Sequence, residues 1–195
     1  MPERRSPLVE CRRPGLHGAS PAGGPGIEIG EIAPLSAVQV AAFDEEKAAA
    51  ALGAAIGIAA PRQQNSTAVD GETAVLWTGP ARWLVVEREK RDLGELLARH
   101  CTPEIAAVTD LSHARTAIRI EGRAVRTLLS KLCTLDLDRA AFPQGCSAQT
   151  VMGHIGILLH CRAEACFDLF VYRGFAVSAW ETIVDAALEF GCQIR

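Results

Sequence analysis

The sequence predicts an α+β fold of two ferredoxin-like lobes that repeat one another's rhythm, and three observations carry that expectation. Residues 108–133 read as a polar turn, an alternating strand, a glycine break and an amphipathic helix. In that strand Thr116, Ile118 and Ile120 face one way and Ala117, Arg119 and Glu121 the other, the period of two of a half-buried strand. After Gly122 the period lengthens, so that Val125, Leu128, Leu129 and Leu132 form one helical stripe. The second observation is order: β-β-α-β-β-α and a closing strand precede this segment, and strand, helix, three strands and helix run from it onward. The third is the stripe of Ala176, Ala179, Trp180, Ile183, Val184, Ala187 and Leu188 in residues 175–190, which Gly191 stops.

In chain order, residues 1–26 come first and read as an extended arm. They hold Pro2, Pro7, Pro14, Pro21 and Pro25, half of the chain's 10 prolines, together with five glycines, and so resist long regular structure. Leu8, Val9 and Leu16, spaced along the arm, are expected to lie on a partner. The first lobe, 27–109, opens with strands at 27–32 and 37–43. An alanine-rich helix at 45–56 follows, with Asp44 as N-cap and Gly53 weakening it. Residues 61–71 form a polar loop, 73–78 and 83–87 strands around Gly79-Pro80, 92–100 a short helix and 106–109 a strand. The second lobe, 110–195, places strands at 116–121, 148–152, 155–160 and 167–172, and helices at 123–132 and 175–190.

Composition excludes several classes. A net charge of −3 over 195 residues leaves no electrostatic footprint for nucleic acid. No apolar run approaches the roughly 20 residues that cross a bilayer. The first residues, MPERRSPLVECRR, are basic but lack the apolar stretch of a secretory signal, so a cytoplasmic protein without membrane partners is expected. Seven cysteines include no Cys-x-x-Cys pair, which argues for buried thiols rather than a metal or redox site. His154 and His160 would share a strand face, and they read as polar residues at a strand edge.

Catalytic motifs are missing. No glycine-rich phosphate loop, nucleophile elbow or H-E-x-x-H occurs. Ser112 and His113 are adjacent, so their side chains diverge and do not form a nucleophile–base pair. Asp110 suits an Asx turn, with Ser112 as a weaker equivalent. His113, with its near-neutral pKa, is the residue to test, for turn-locking or an interface before catalysis. Trp77 and Trp83 are expected to be cross-strand neighbours in a core, with Arg82 beside them as a candidate anion or partner contact.

These residues resemble a known family. A-A-V-T-D-L-S-H-A-R-T-A-I-R-I-E-G-R-A-V-R-T-L-L-S-K, from Ala106 to Lys131, is similar to the D-V-S-H strand–glycine–helix segment of the aminomethyltransferase (glycine cleavage T-protein) superfamily. Within it the gamma subunits of heterotetrameric sarcosine oxidase resemble the chain more closely. R-R-S-P-L, L-W-T-G-P-A-R-W-L-V-V, C-T-L-D-L, F-P-Q-G-C-S-A-Q-T and F-D-L-F-V-Y-R-G-F-A carry that likeness in order along nearly the whole chain. The resemblance implies a folate-binding-domain-like fold. It also implies a complex with alpha, beta and delta subunits that oxidises sarcosine to glycine, hydrogen peroxide and, with tetrahydrofolate, 5,10-methylenetetrahydrofolate. FAD, FMN, NAD, zinc and tetrahydrofolate are then held by the other subunits and none by this chain. Ala114 stands where the enzymes commonly carry a methionine lining the folate pocket, a departure that speaks against folate binding here.

The expected function is therefore that of a non-catalytic assembly subunit, with Leu8, Val9, Leu16, Arg82, Asp110, Ser112 and His113 as interface or turn-locking residues. Two alternatives stand beside it: the gamma subunit of a related N-methylglutamate dehydrogenase-type complex, and a stand-alone folate-binding protein.

Overall fold

A computed structural model describes residues 5–19, 22–88 and 91–195. Residues 1–4 and 20–21 of the expected arm, Pro2, Arg4 and Pro21 among them, lie outside the described residues. In chain order the strands and helices are β1 (Gly15–His17), β2 (Ile27–Ile32), β3 (Leu35–Ala42), α1 (Glu45–Ile56), β4 (Thr67–Asp70), β5 (Thr73–Gly79) and β6 (Arg82–Arg88). They continue with α2 (Leu93–His100), β7 (Ala106–Asp110), β8 (Arg115–Glu121), α3 (Val125–Leu132), β9 (Ser147–Met152), β10 (Ile155–Ala163), β11 (Cys166–Tyr172), α4 (Ala176–Ala187) and β12 (Cys192–Ile194).

Helix starts follow local chemistry. Asp44 Oδ1 accepts the Lys47 amide at 3.1 Å and Asp92 Oδ1 the Glu95 amide at 2.9 Å, each satisfying a donor that the first turn leaves open. Gly57 closes α1 in the left-handed region, at φ 75°.

The chain divides into two units. One comprises Ala33–Ala114 and Gly145–Ser147. Its antiparallel sheet runs β4-β5-β6-β3-β7 and packs α1 and α2 over Val38, Val40, Val75, Trp83 and Val85, with Leu52, Leu93 and Leu97 from the helices. Trp83 is fully buried and its indole N–H donates to the Pro61 carbonyl at 2.7 Å, while Trp77 lies opposite it in the register. The residues expected to form a loop, 61–71, contain the four-residue strand β4.

The other unit comprises Met1–Ile32, Arg115–Gln144 and Ala148–Arg195. Its sheet runs β1-β12-β2-β8-β11-β10-β9, and β12 and β2 are parallel neighbours. The lobes thus differ from the expected 27–109 and 110–195. Residues 27–32 join the later part of the chain because β2 pairs with β8, Ile29 opposite Ile120, as well as with β12. The glycines at the turn permit a close approach: a Cβ on Gly122, at φ 127°, would lie 2.3 Å from the Gly26 carbonyl oxygen.

The N-terminal arm also departs from expectation. β1 adds to the sheet edge through β12, Leu8 is fully buried, and the Ser6 hydroxyl donates to the Glu31 carboxylate at 2.7 Å. Leu8 is therefore spent on the chain's own fold rather than offered to a partner. Helix α4 is shorter than the expected 175–190, because 3₁₀ turns occupy Arg173–Phe175 and Leu188–Phe190. The tighter winding takes Leu188 off the stripe, leaving it 37% exposed, and Val184 is half-buried.

One polar row crosses this sheet. Arg119 in β8 faces Asp168 in β11, which faces His160 in β10. Arg119 Nε and Nη2 donate to the two Asp168 oxygens at 2.7 and 2.9 Å, and Arg162 Nη1 lies 3.9 Å away. His154 is exposed in the β9–β10 turn, whereas His160, expected at a strand edge, is buried inside the sheet.

Truncating Leu8 to Ala should lower unfolding free energy by about 2–5 kcal/mol, the usual range for a filled site emptied of a leucine. Urea denaturation checks this, and an unchanged midpoint would mean that the arm is no part of the cooperative unit.

Candidate functional site

The D-L-S-H turn is held by its own side chains and by strand β3. Asp110 Oδ1 accepts the Ser112 amide at 2.8 Å and its hydroxyl at 2.5 Å, an Asx turn reinforced by a side chain. Ser112 Oγ in turn accepts the Ala37 amide at 3.0 Å, while the Leu111 amide donates to the Ala37 carbonyl at 2.7 Å. Ser112 is buried, so its hydroxyl is consumed in pinning the turn to the neighbouring strand β3. Asp110 and His113 are exposed.

The remaining sequence-derived residues are scattered. Arg82 is exposed at the start of β6 and pairs with Ala41, whereas Asp110 pairs with Val38, three positions away along β3. Val9 and Leu16 are each 54% exposed in the other unit, where Leu8 is buried. The structure brings Asp110 and Ser112 into direct contact.

Thiols offer no nucleophile at neutral pH where their shifts are resolved. Burial pushes Cys166 and Cys192 up to about 11 and raises Cys101 and Cys133 as well. His160 moves the other way. Burial, with help from the charges of Arg162 and Arg119 and against the pull of Asp168, lowers it to about 4. Sequence reasoning placed His160 at a strand edge and passed over the Arg115–Tyr172 pair, in which the guanidinium carbon lies 3.7 Å from the ring centroid. Register pairing places them, His160 opposite Asp168 across β10 and β11 and Arg115 opposite Tyr172 across β8 and β11, and pairing partners are not visible in a single strand's pattern. Among the described residues no group of three or more His, Cys, Asp or Glu is placed to hold a metal ion, and no helix is long and apolar enough to cross a membrane.

A model of the sarcosine oxidase, gamma subunit family matches residues 40–189. The chain belongs to the sarcosine oxidase gamma subunit family. Members similar to it include sarcosine oxidase subunit gamma of Corynebacterium sp. (strain P-1), 31% identical over 86% of this chain and 83% of that one. The subunit of the same name from Arthrobacter sp. is 32% identical over 96% and 91%. Among solved structures, a chain of heterotetrameric sarcosine oxidase from Corynebacterium sp. U-96, in complex with pyrrole 2-carboxylate, superimposes with a TM-score of 0.85 at 29% identity, over 96% of both chains. Glycine cleavage system aminomethyltransferase T from Bartonella henselae matches with a TM-score of 0.64 at 12% identity, over 91% of this chain and 55% of that one. The latter likeness is one of fold, and it agrees with the aminomethyltransferase-like α+β architecture expected from the sequence.

Two outcomes follow for this gamma-family chain. Ser112→Ala leaves the Ala37 amide without its buried acceptor and should cost about 1–3 kcal/mol, measured by thermal unfolding. His160 binds a proton in the unfolded chain below about 6.5 but in the folded chain only near 4, so its share of stability is present above that window and lost as pH falls through it. The loss amounts to roughly 3 kcal/mol, one pKa unit being about 1.4 kcal/mol. Denaturation of wild type and His160→Gln from pH 7 to 4 should show the two curves converging by about that amount as the pH falls. Parallel curves would contradict it.

Proposed function

We propose that this chain is the gamma subunit of a heterotetrameric sarcosine oxidase and that its part is assembly, not chemistry. The complex oxidises the N-methyl group of sarcosine, yielding glycine, hydrogen peroxide and, with tetrahydrofolate, 5,10-methylenetetrahydrofolate. FAD, FMN and NAD belong to the alpha and beta subunits, zinc to delta, and tetrahydrofolate to the aminomethyltransferase-like part of alpha. Alpha is the subunit on which this chain docks.

The observation that carries the reading is the match over 96% of both chains to a member of such a complex, at a TM-score of 0.85. The D-L-S-H turn supports the assembly role, since Asp110 and Ser112 are engaged in holding β7 to β3. Seven free thiols, four of them buried, accord with the reducing cytoplasm proposed as its location.

Co-expression with alpha, beta and delta chains tests the reading. This chain should co-purify in equal amount, and its omission should lower the yield of assembled complex rather than the turnover of what assembles. A fully assembled, equally stable complex without it would contradict the proposal, as would tight binding of tetrahydrofolate to the isolated chain. Oxidation of N-methylglutamate but not sarcosine would transfer the subunit to the related dehydrogenase.

A further inference from the structure

Two arginines lie four residues apart on one face of β8, and they are treated differently. Arg119 has a buried carboxylate opposite it on β11 and grips both its oxygens. Arg115 has Tyr172 opposite it, the ring stacked beneath the guanidinium at 3.7 Å. No acid reaches Arg115 among the described residues, and its Nε–H is buried without an acceptor. Arginine keeps its charge at neutral pH, so a buried N–H of its guanidinium without an acceptor is costly unless an anion arrives.

Room for that anion is present. Arg115 and Tyr172 line a cavity of about 110 Å³ with Gln149, Thr150, Gly156, Ile157 and Leu158. Gly156 adjoins Ile157, which pairs with Val171, so it sits in the row of Tyr172 and Arg115 across the sheet. A Cβ on Gly156 would meet no heavy atom within 4 Å, so the space over this position is open because the residue is glycine. The volume is far below the roughly 300–1,000 Å³ of pockets for cofactors and drug-sized ligands. It suits a small planar head group. Stacking on an aromatic ring leaves the N–H edge of a guanidinium free to receive two oxygens of one carboxylate.

We infer that the Arg115–Tyr172–Gly156 notch is a carboxylate-binding site, in which an incoming carboxylate takes the place beside Arg115 that Asp168 takes beside Arg119. A free small carboxylate and an Asp or Glu side chain of a partner subunit present the same group, and two arms of one experiment separate them.

In the first arm the full-length chain is titrated with sodium acetate against sodium chloride at equal ionic strength, following by NMR the backbone amide resonances of Ile157 and Tyr172, which line the notch and are present in every variant. In the second, the affinity of the chain for the rest of its complex is measured. Each is repeated with Arg115→Met, which keeps the stem over the ring but removes the charge, and with Gly156→Val, which fills the open space on an ordinary strand backbone. A saturable acetate shift that both variants abolish, with association unchanged, assigns the site to a free carboxylate. Association weakened at least about tenfold by both variants assigns it to a partner's side chain. No saturable shift and no weakening, or a shift that persists in Gly156→Val, overturns the inference. The acetate arm needs no partner, so it decides even if the proposed complex proves to be another.

Discussion

Asp168 constrains the whole seven-stranded sheet. It lies on β11, next to the central strand β8, with 3% of its surface exposed, and a carboxylate in that position is tolerated only if its charge is answered within the protein. Arg119 answers it with Nε and Nη2, one to each oxygen, which requires β8 and β11 to hold one register, Arg119 opposite Asp168. A slip by one residue would turn every side chain of β8 to the other face, burying Arg119 among Ile118 and Ile120's neighbours and leaving Asp168 alone. The pair therefore selects a register more than it adds net stability, because desolvation of both partners offsets most of their attraction. His160, next in the same row, is held neutral by this burial.

With that register set, the ends of the chain close the sheet. β2 lies against β8 on one side, β12 lies parallel to β2, and β1 adds outside β12, so the first and last strands of the sequence are neighbours. Leu8 and the Ser6–Glu31 hydrogen bonds fasten the arm that leads there. In the other unit the Asp110–Ser112 turn performs a comparable task by tying β7's end to Ala37. The polar groups that first suggest chemistry are thus engaged in the fold. Exposed instead are the apolar side chains of Tyr172, Phe175 and Val177 near the start of α4, and of Val9 and Leu16 on the arm.

Much of this was legible in the sequence because it is periodic. β8 and α3 announced themselves by the change of period at Gly122, and α1 by the Asp44 cap and its alanines. Short or non-local features were not. Three-residue strands such as β1 and β12 have no period to read and exist only because they pair with each other and with β2. For the same reason β2 was grouped with the first lobe: the parallel pairing that places it joins residues some 165 positions apart in the chain. His160 looked like an edge residue because alternation cannot say whether a strand lies inside a sheet. In the turn, the Asx role of Asp110 could be read locally, but the bond from Ala37 to Ser112 spans 75 residues and only the fold reveals it.

The central claim is that this histidine-bearing turn is structural in a subunit that serves assembly, and turnover in the intact complex tests it most directly. With His113→Ala in a complex confirmed to contain all four subunits, sarcosine-dependent peroxide formation per flavin should stay within about twofold of wild type, as expected for a residue outside the reacting centre. A loss of about a hundredfold or more, the scale of a missing general acid or base, in an equally assembled complex would contradict the account and make His113 a catalytic residue.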